Sequence, residues 1–398
     1  MTNRLYYDDA YTLRFSASIV ERTEHKSRPA VILDRSYFYP EGGAQPPDTG
    51  SLNGIRVIDV QTRDSDRAVL HILASSLNGA DQVEGEIDAS RRLDHMQHHS
   101  GQHILSRALD DVAKAATVSV HMSADSMTID VNRADIPAAE WSAVEQLANR
   151  IVQEDRPVRC WFPTAEELAT IQVRKMPDVI GKVRIVDIGG FDITACGGTH
   201  VARTGEIGLI KVIKTEKRGD STRLEFRCGL RALADYSAKN EVIQRLVSDL
   251  TVGASELPAA IGRLQAENKQ LRTDLKVAKD LLAEAEAQSL LATAEPHNGH
   301  RLIIRAFSAD RTTDDARLLL QKLTAQADVI VLFGVSGEGH NFSLGVPRMS
   351  LDVVPHLNQH SRISAVIAAV VSPISHRAAA SPPRSIKCWQ QRCRQLSQ

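Results

Sequence analysis

Cysteine is too sparse and too scattered here to build a disulfide scaffold. The five cysteines, an odd number, are Cys160, Cys196, Cys228, Cys388 and Cys393. No pairing framework follows from them, which suits a reducing compartment. A long apolar run is also missing. The stretch from Ile363 to Ile374 is too short for a membrane span. The first residues, MTNRLYYDDAYTLRF, lack the apolar segment of a secretory signal. A soluble cytoplasmic protein with no membrane partner is therefore expected. Excess charge of either sign is absent as well, since 48 Lys and Arg face 49 Asp and Glu. No global attraction to a polyanion follows, and any nucleic-acid surface must come from local patches.

What is present is a pair of short motifs far apart in the chain. HSGQH carries His99 and His103, and CGGTH carries Cys196 and His200. Each sets two metal-type donors four residues apart. The first pair lies in a helical pattern, where positions i and i+4 share a face. In the second, Gly197 and Gly198 allow the backbone to fold back so that Cys196 and His200 converge. Three imidazoles and one thiolate suit tetrahedral zinc. Each motif alone is weak, because histidine pairs on helices and cysteines at glycine turns are commonly structural. His95 also lies one turn from His99, so His95–His99 is a rival pair, and His98 is nearby. A metalloprotease is excluded by residue type. That chemistry needs Glu directly after the first His as general base, and the position holds Ser100.

At 398 residues, two or three domains are expected. The overall class is α+β. Residues 1–90 read as a β-barrel, with β-branched runs at Thr12–Ile19, Pro29–Leu33, Ile55–Val60 and Ala68–Ile72. Its distinctive loop is YFYPEGGAQPPDTG, Tyr37 to Gly50. Phe38 is expected inside, and the amides of Gly42 and Gly43 are candidates for ligand contact. Residues 91–235 form the α+β domain that holds both motifs. Its first helix spans 90–112, capped by Ser90, with Leu93, Met96, Leu105 and Leu109 as its buried stripe. Arg91 and Arg92 open it, either solvated or serving a phosphate partner. A basic excess over 174–231 includes Arg174, Arg184, Lys211, Lys214, Arg223, Arg227 and Arg231, which points to a phosphate-backbone surface.

Residues 236–296 are helical. Leu257, Ile261, Leu264, Asn268, Leu271, Leu275, Ala278, Leu282 and Ala285 alternate steps of four and three, the coiled-coil period. A homodimer through this segment and an internal helical hairpin are both open. Residues 297–355 read as a small α/β unit, and 356–398 as a disordered tail.

With these residues set out, the chain resembles the alanyl-tRNA editing proteins of the AlaX type in their long form. These look like the editing half of alanyl-tRNA synthetase. The likeness rests on YFYPEGGAQPPDTG, HSGQH, CGGTH and VARTGEIGLIKVIKTEKRGDSTRLEFRCGLRA. It implies zinc held by His99, His103, Cys196 and His200, which favours that set over His95–His99. It implies hydrolysis of the ester that joins serine or glycine wrongly to alanine tRNA. His121 becomes a catalytic candidate, with Ser119, Gln102, Gly42 and Gly43 on the substrate side. Arg91, Arg92, Lys211, Lys214 and Arg223 become RNA contacts. The region 297–355 resembles a truncated or divergent DHH-associated domain, because the residues after Leu351 depart from the family. Three rivals remain. One is a non-catalytic tRNA-binding module with structural zinc. Another is the remnant of an alanine-tRNA ligase. The last is the threonyl-type editing domain, which shares the paired motifs, and the YFYPEGGAQ barrel argues for the alanyl type.

Overall fold

The computed structural model describes residues 2–79, 81–123, 126–174, 182–297, 299–307, 311–335 and 341–345. Among them no helix is long and apolar enough to cross a membrane. The chain divides into two compact units, Met1–Leu246 and Val247–Gln398.

The first unit opens with a two-residue strand, β1 (Asn3–Arg4), paired with β4 (Arg35–Ser36). Six further strands follow: β2 (Arg14–His25), β3 (Arg28–Leu33), β5 (Gly50–Leu52), β6 (Ile55–Thr62), β7 (Val69–Leu73) and β8 (Gln82–Ile87). They close into a barrel in the order β2-β3-β7-β6-β5-β8. In β8 every second residue is buried, the period that puts one face inside. Phe38 is fully buried there with Phe15, Leu33, Leu52, Val57 and Leu73. Gly85 pairs with Phe15 across β2 and β8. A Cβ on Gly85 would come within 2.6 Å of the Phe15 ring, so only glycine fits.

Helix α1 (Ala89–Ala113) leaves the barrel directly. Its cap is Asp88, one residue before the span, and not the expected Ser90. The Asp88 carboxylate accepts from the Ser90 and Arg91 amides, and Ser90 already lies inside the first turn. Met96, Leu105 and Leu109 are buried as expected, whereas Leu93 is 38% exposed. The burial is wider than one stripe, since every residue from His95 to Ser106 is buried. Two sheets account for it. β9 (Thr117–Met122), β10 (Met127–Val131), β14 (Ile210–Arg218) and β15 (Ser221–Cys228) form one, in the order β14-β15-β10-β9. β11 (Val158–Trp161), β12 (Ile185–Ile188) and β13 (Asp192–Ala195) form the other. Helix α2 (Ala138–Gln153) completes the packing, and the short α3 (Ala165–Thr170) is closed by a Thr164–Glu167 capping box. Ile104, Leu105 and Leu109 of α1 share one core with Ile129, Val144, Ile188, Leu224 and Phe226. Each such side chain stabilises by roughly 1.5–3 kcal/mol when fully buried. Gly101 lets α1 approach β15, because a Cβ there would lie 2.5 Å from Cys228 Sγ.

The unit boundary falls inside α4 (Gly229–Leu250). In the second unit, α5 (Leu257–Ala292) runs 36 residues. It is followed by β16 (Glu295–His297), β17 (His300–Phe307), α6 (Thr313–Leu323), β18 (Val329–Val335) and β19 (Asn341–Gly345). β17 and β18 are parallel, joined through α6, as a β-α-β unit requires. Leu290 of α5 packs with Ile303, Leu319, Leu323 and Val331. The earlier heptad residues Ile261, Leu264, Leu271, Leu275 and Leu282 are exposed. The expected turn Ser336–His340 and the tail from His356, with Cys388 and Cys393, lie outside the described residues.

One buried polar group in the barrel has a measurable signature. His71 donates from Nδ1 to the Val31 carbonyl at 3.2 Å, and its Nε2 lies 2.7 Å from Ser36 Oγ. Burial pushes its pKa down to about 4 from 6.5. A depressed imidazole stabilises the fold above its unfolded pKa and loses that contribution as pH falls. We expect unfolding free energy to drop by on the order of 3 kcal/mol between pH 6.5 and 4 from this residue. Urea unfolding at both pH values should show a shallower pH dependence in His71→Gln than in the unmodified protein.

Candidate metal centre

The site starts from helix periodicity. His99 and His103 lie one turn apart on α1, and their rings stack at 5.3 Å between centroids. Cys196 follows β13 directly, and His200 lies four residues on. The His200 ring comes within 4.5 Å of His99 and 5.0 Å of His103. One donor atom from each of His99, His103, Cys196 and His200 lies within 4.8 Å of the other three. Cys196 Sγ is 3.2 Å from His99 Nε2 and 3.4 Å from His200 Nε2. This group could hold a metal ion.

Each imidazole is oriented from its other nitrogen. His99 Nδ1 lies 2.8 Å from Gln45 Oε1, an acceptor, so it carries the proton and leaves Nε2 bare. His103 Nδ1 lies 3.2 Å from Asp192 Oδ2, and His200 Nδ1 lies 3.1 Å from Ser100 Oγ. Holding metal-binding histidines through the distal nitrogen fixes the tautomer and raises ligand basicity. His103 Nε2 is buried with no hydrogen-bond partner among the described residues. A buried nitrogen left unpaired is costly, and an ion at this point would satisfy it.

The electrostatics fit the same use. Burial pushes His99 down to about 4, and Arg184 adds to the shift. Burial, with the charges of His99 and His103, holds His200 well below the usual imidazole range. Both are therefore neutral ligands at neutral pH. Burial opposes the Cys196 thiolate, but the neighbouring His103, the Gly198 amide and Arg184 outweigh it and lower its pKa. For His103, burial is outweighed by Asp192 and Cys196, and its pKa rises. Arg174 in turn holds Asp192, with Nε 2.6 Å from Oδ1.

The two halves are held by Gln45, a residue the sequence reading missed. Its Oε1 also accepts from the Thr199 amide at 3.1 Å, and its Nε2 donates to Thr199 Oγ1 at 2.8 Å. The glycine-dense loop pointed to the right place for a different reason. Gly42 N–H is spent on the Gln45 carbonyl at 3.1 Å, closing a tight turn in which Gly43 has φ +55°. The glycines shape the loop, and the glutamine makes the contact. In CGGTH neither glycine has positive φ among the described residues. Gly198 is required instead by proximity, since a Cβ there would lie 2.2 Å from the His99 ring.

The other expected site residues are dispersed. His121 is exposed on β9, opposite Thr128. Its neighbours Val120 and Met122 pack on the core, so alternation turns His121 away from α1. Ser119 shares that outer face and donates to Asp130 at 2.7 Å, while Arg223 grips Asp130 with two bonds of 2.6 Å. Gln102 is buried and donates to Ser106 Oγ at 2.8 Å. Arg91 reaches the Pro47 carbonyl at 2.9 Å. Arg92 needs correction as an RNA contact. It is 2% exposed and is consumed by Asp48 and the carbonyls of Ala10 and Tyr37. Lys211 pairs with Glu145 at 2.7 Å, and Lys214 is 66% exposed. Much of the basic excess is internal: Arg174, Arg227 and Arg231 pair with Asp192, Asp235 and Asp94. His95 is buried with both ring nitrogens unpartnered among the described residues, and His98 accepts from the Cys228 amide at 3.1 Å. Neither belongs to the four-donor group.

A family model described as the threonyl and alanyl tRNA synthetase second additional domain matches residues 183–225. The alanyl-tRNA editing protein AlaX-L of Pyrococcus horikoshii is 35% identical over 286 residues, covering 69% of this chain and 68% of that protein. The chain belongs to the AlaX-type alanyl-tRNA editing family. This AlaX-type chain is also similar to the alanine–tRNA ligases of Pyrococcus abyssi, 32% identical over 360 residues, and Pyrococcus furiosus, 33% over 354. It spans 38% of the length of each ligase and is itself covered to 87% and 85%.

Gln45→Ala in the AlaX-type chain should weaken metal affinity by roughly 10- to 100-fold, the usual cost of losing the partner of a metal-bound histidine. Gly198→Ala should weaken it at least as far, by displacing the His99 ring. Competition with a chromophoric chelator would measure both; unchanged affinity in Gln45→Ala would show that the barrel loop does not orient the ligands, and in Gly198→Ala that the His99 ring is not fixed by this contact.

Proposed function

We propose that this protein is a zinc-dependent hydrolase that deacylates alanine tRNA carrying serine or glycine. The observation that supports the reading most is the convergence of two family motifs, 97 residues apart, on one buried four-donor group. His99, His103, Cys196 and His200 would hold the ion. When bound, zinc supplies Lewis acidity toward a carbonyl, an amine or a water. The chain contributes the rest. Gln45, Asp192 and Ser100 keep the imidazoles aimed at one point. Arg184 donates to the carbonyls of Cys196 and Gly198 at 3.2 and 2.8 Å and fixes the turn that carries the thiolate. An aminoacyl ester is already labile, so positioning a water and stabilising charge at the carbonyl is sufficient chemistry. Serine is distinguished from alanine if a buried polar group pairs with its hydroxyl, since leaving that group unpaired costs ~1–3 kcal/mol. The reading does not depend on His121.

Domain roles follow the same reading: 1–90 as barrel, 91–235 as editing domain, 236–296 as coiled coil and 297–355 as DHH-associated unit. The exposed heptad residues of α5 support a homodimer, and the protein is placed in the cytoplasm. The four-donor set also supports a second reading, a tRNA-binding module whose closed zinc site is structural.

Purified protein should release serine from mischarged alanine tRNA, and Cys196→Ala should abolish that release. Full activity in Cys196→Ala would refute the site. Tight tRNA binding without release by the unmodified protein would favour the structural module.

A further inference from the structure

Beside the metal centre lies an aromatic feature that neither the fold nor the ligand set uses. Strand register places it. Trp161 pairs with Ile185, and Ile185 with Ala195, across β11, β12 and β13. One residue further along, the same rows read Phe162, Arg184 and Cys196, and the Cys196 amide donates to the Arg184 carbonyl at 3.0 Å. Phe162 therefore lies two strand spacings, about 10 Å, from a metal ligand. It is on the face of Cys160, which packs on the core, yet Phe162 is 43% exposed. Tyr7 from the barrel unit's first turn closes the row. Its ring meets Phe162 edge-on at 5.5 Å and lies under the Arg184 guanidinium at 5.3 Å. Arg184 is 7% exposed and donates to the Cys196 and Gly198 carbonyls. Its guanidinium lies between the Tyr7 ring and Cys196, whose pKa it lowers.

We infer that Phe162, flanked by Tyr7 and Arg184, stacks the terminal base of the RNA whose ester is presented to the metal centre. This rests on the proposed aminoacyl-RNA substrate and extends it to a binding subsite. Unpaired RNA ends are recognised by stacking on aromatic rings and by cations near the backbone. The separation between Phe162 and Cys196 is comparable to one nucleoside, which lets the base rest on the ring while the sugar ester reaches the donors.

The test is binding of an uncharged RNA hairpin with an unpaired terminal nucleotide, against the same hairpin lacking only the terminal base. The unmodified protein should bind the complete end between about fivefold and a hundredfold more tightly. Phe162→Ala should bind both hairpins equally weakly, and Phe162→Trp should restore the difference. Arg159→Ala, on the opposite face of β11, should keep it. A Phe162→Ala protein that still discriminates overturns the inference, as does an unmodified protein that binds neither hairpin or binds both alike. Because the RNA is uncharged, failure of deacylation alone would sink the proposed function and leave this subsite standing.

Discussion

The four-donor group depends on one buried carboxamide. Gln45 bonds the His99 ring on α1 and both backbone and side chain of Thr199 in the CGGTH turn. It comes from neither element. A loop of the barrel reaches over and closes the gap between two motifs with no local reason to meet. The same loop is anchored about two turns nearer the N-terminus of α1, where Arg91 reaches Pro47 and Arg92 buries its charge against Asp48. The barrel is thus part of the site, not an appendage to it. Removing one partner of a buried ion pair typically costs about 3–5 kcal/mol, so the anchoring is strong in one direction only: it holds while both partners remain.

The charge arrangement around the donors favours a cation. Two imidazoles are kept neutral by burial, and one thiol is biased toward thiolate. The third imidazole is pulled toward its protonated form by Asp192 and Cys196. Asp192 is itself held ionised by His103 and Arg174 against the penalty of burial. A divalent ion held by these four residues would meet the same negative partners, so donor geometry and local potential agree.

Basic residues illustrate where composition misleads. The excess over residues 174–231 looked like a phosphate surface. In three dimensions Arg174, Arg223, Arg227 and Arg231 each find a carboxylate, and Arg184 finds carbonyls. Sequence reading counts charges without their partners, and most partners here come from distant segments. Alternation was the second trap. Ser119 and His121 sit in a polar strand near the expected substrate side, but Val120 and Met122 take the core face and turn them outward. A one-residue step in a strand reverses the side, and nothing in a short mixed strand fixes which set wins.

Much of the molecule was nonetheless legible along the chain. The four-residue donor spacing, the period-2 barrel strands, the Thr164 cap and the helical run of α5 each follow from local chemistry and need no distant partner. The identity of the donors was readable because only a few side chains bind metal through nitrogen and sulfur. Their meeting was not. Gln45, the proximity that forces glycine at 198, and the row from Phe162 to Cys196 exist only once the barrel loop, α1 and β11 to β13 are packed. Local pattern fixes what a residue offers, whereas packing decides what it faces. That choice is made by contacts between segments far apart in the chain.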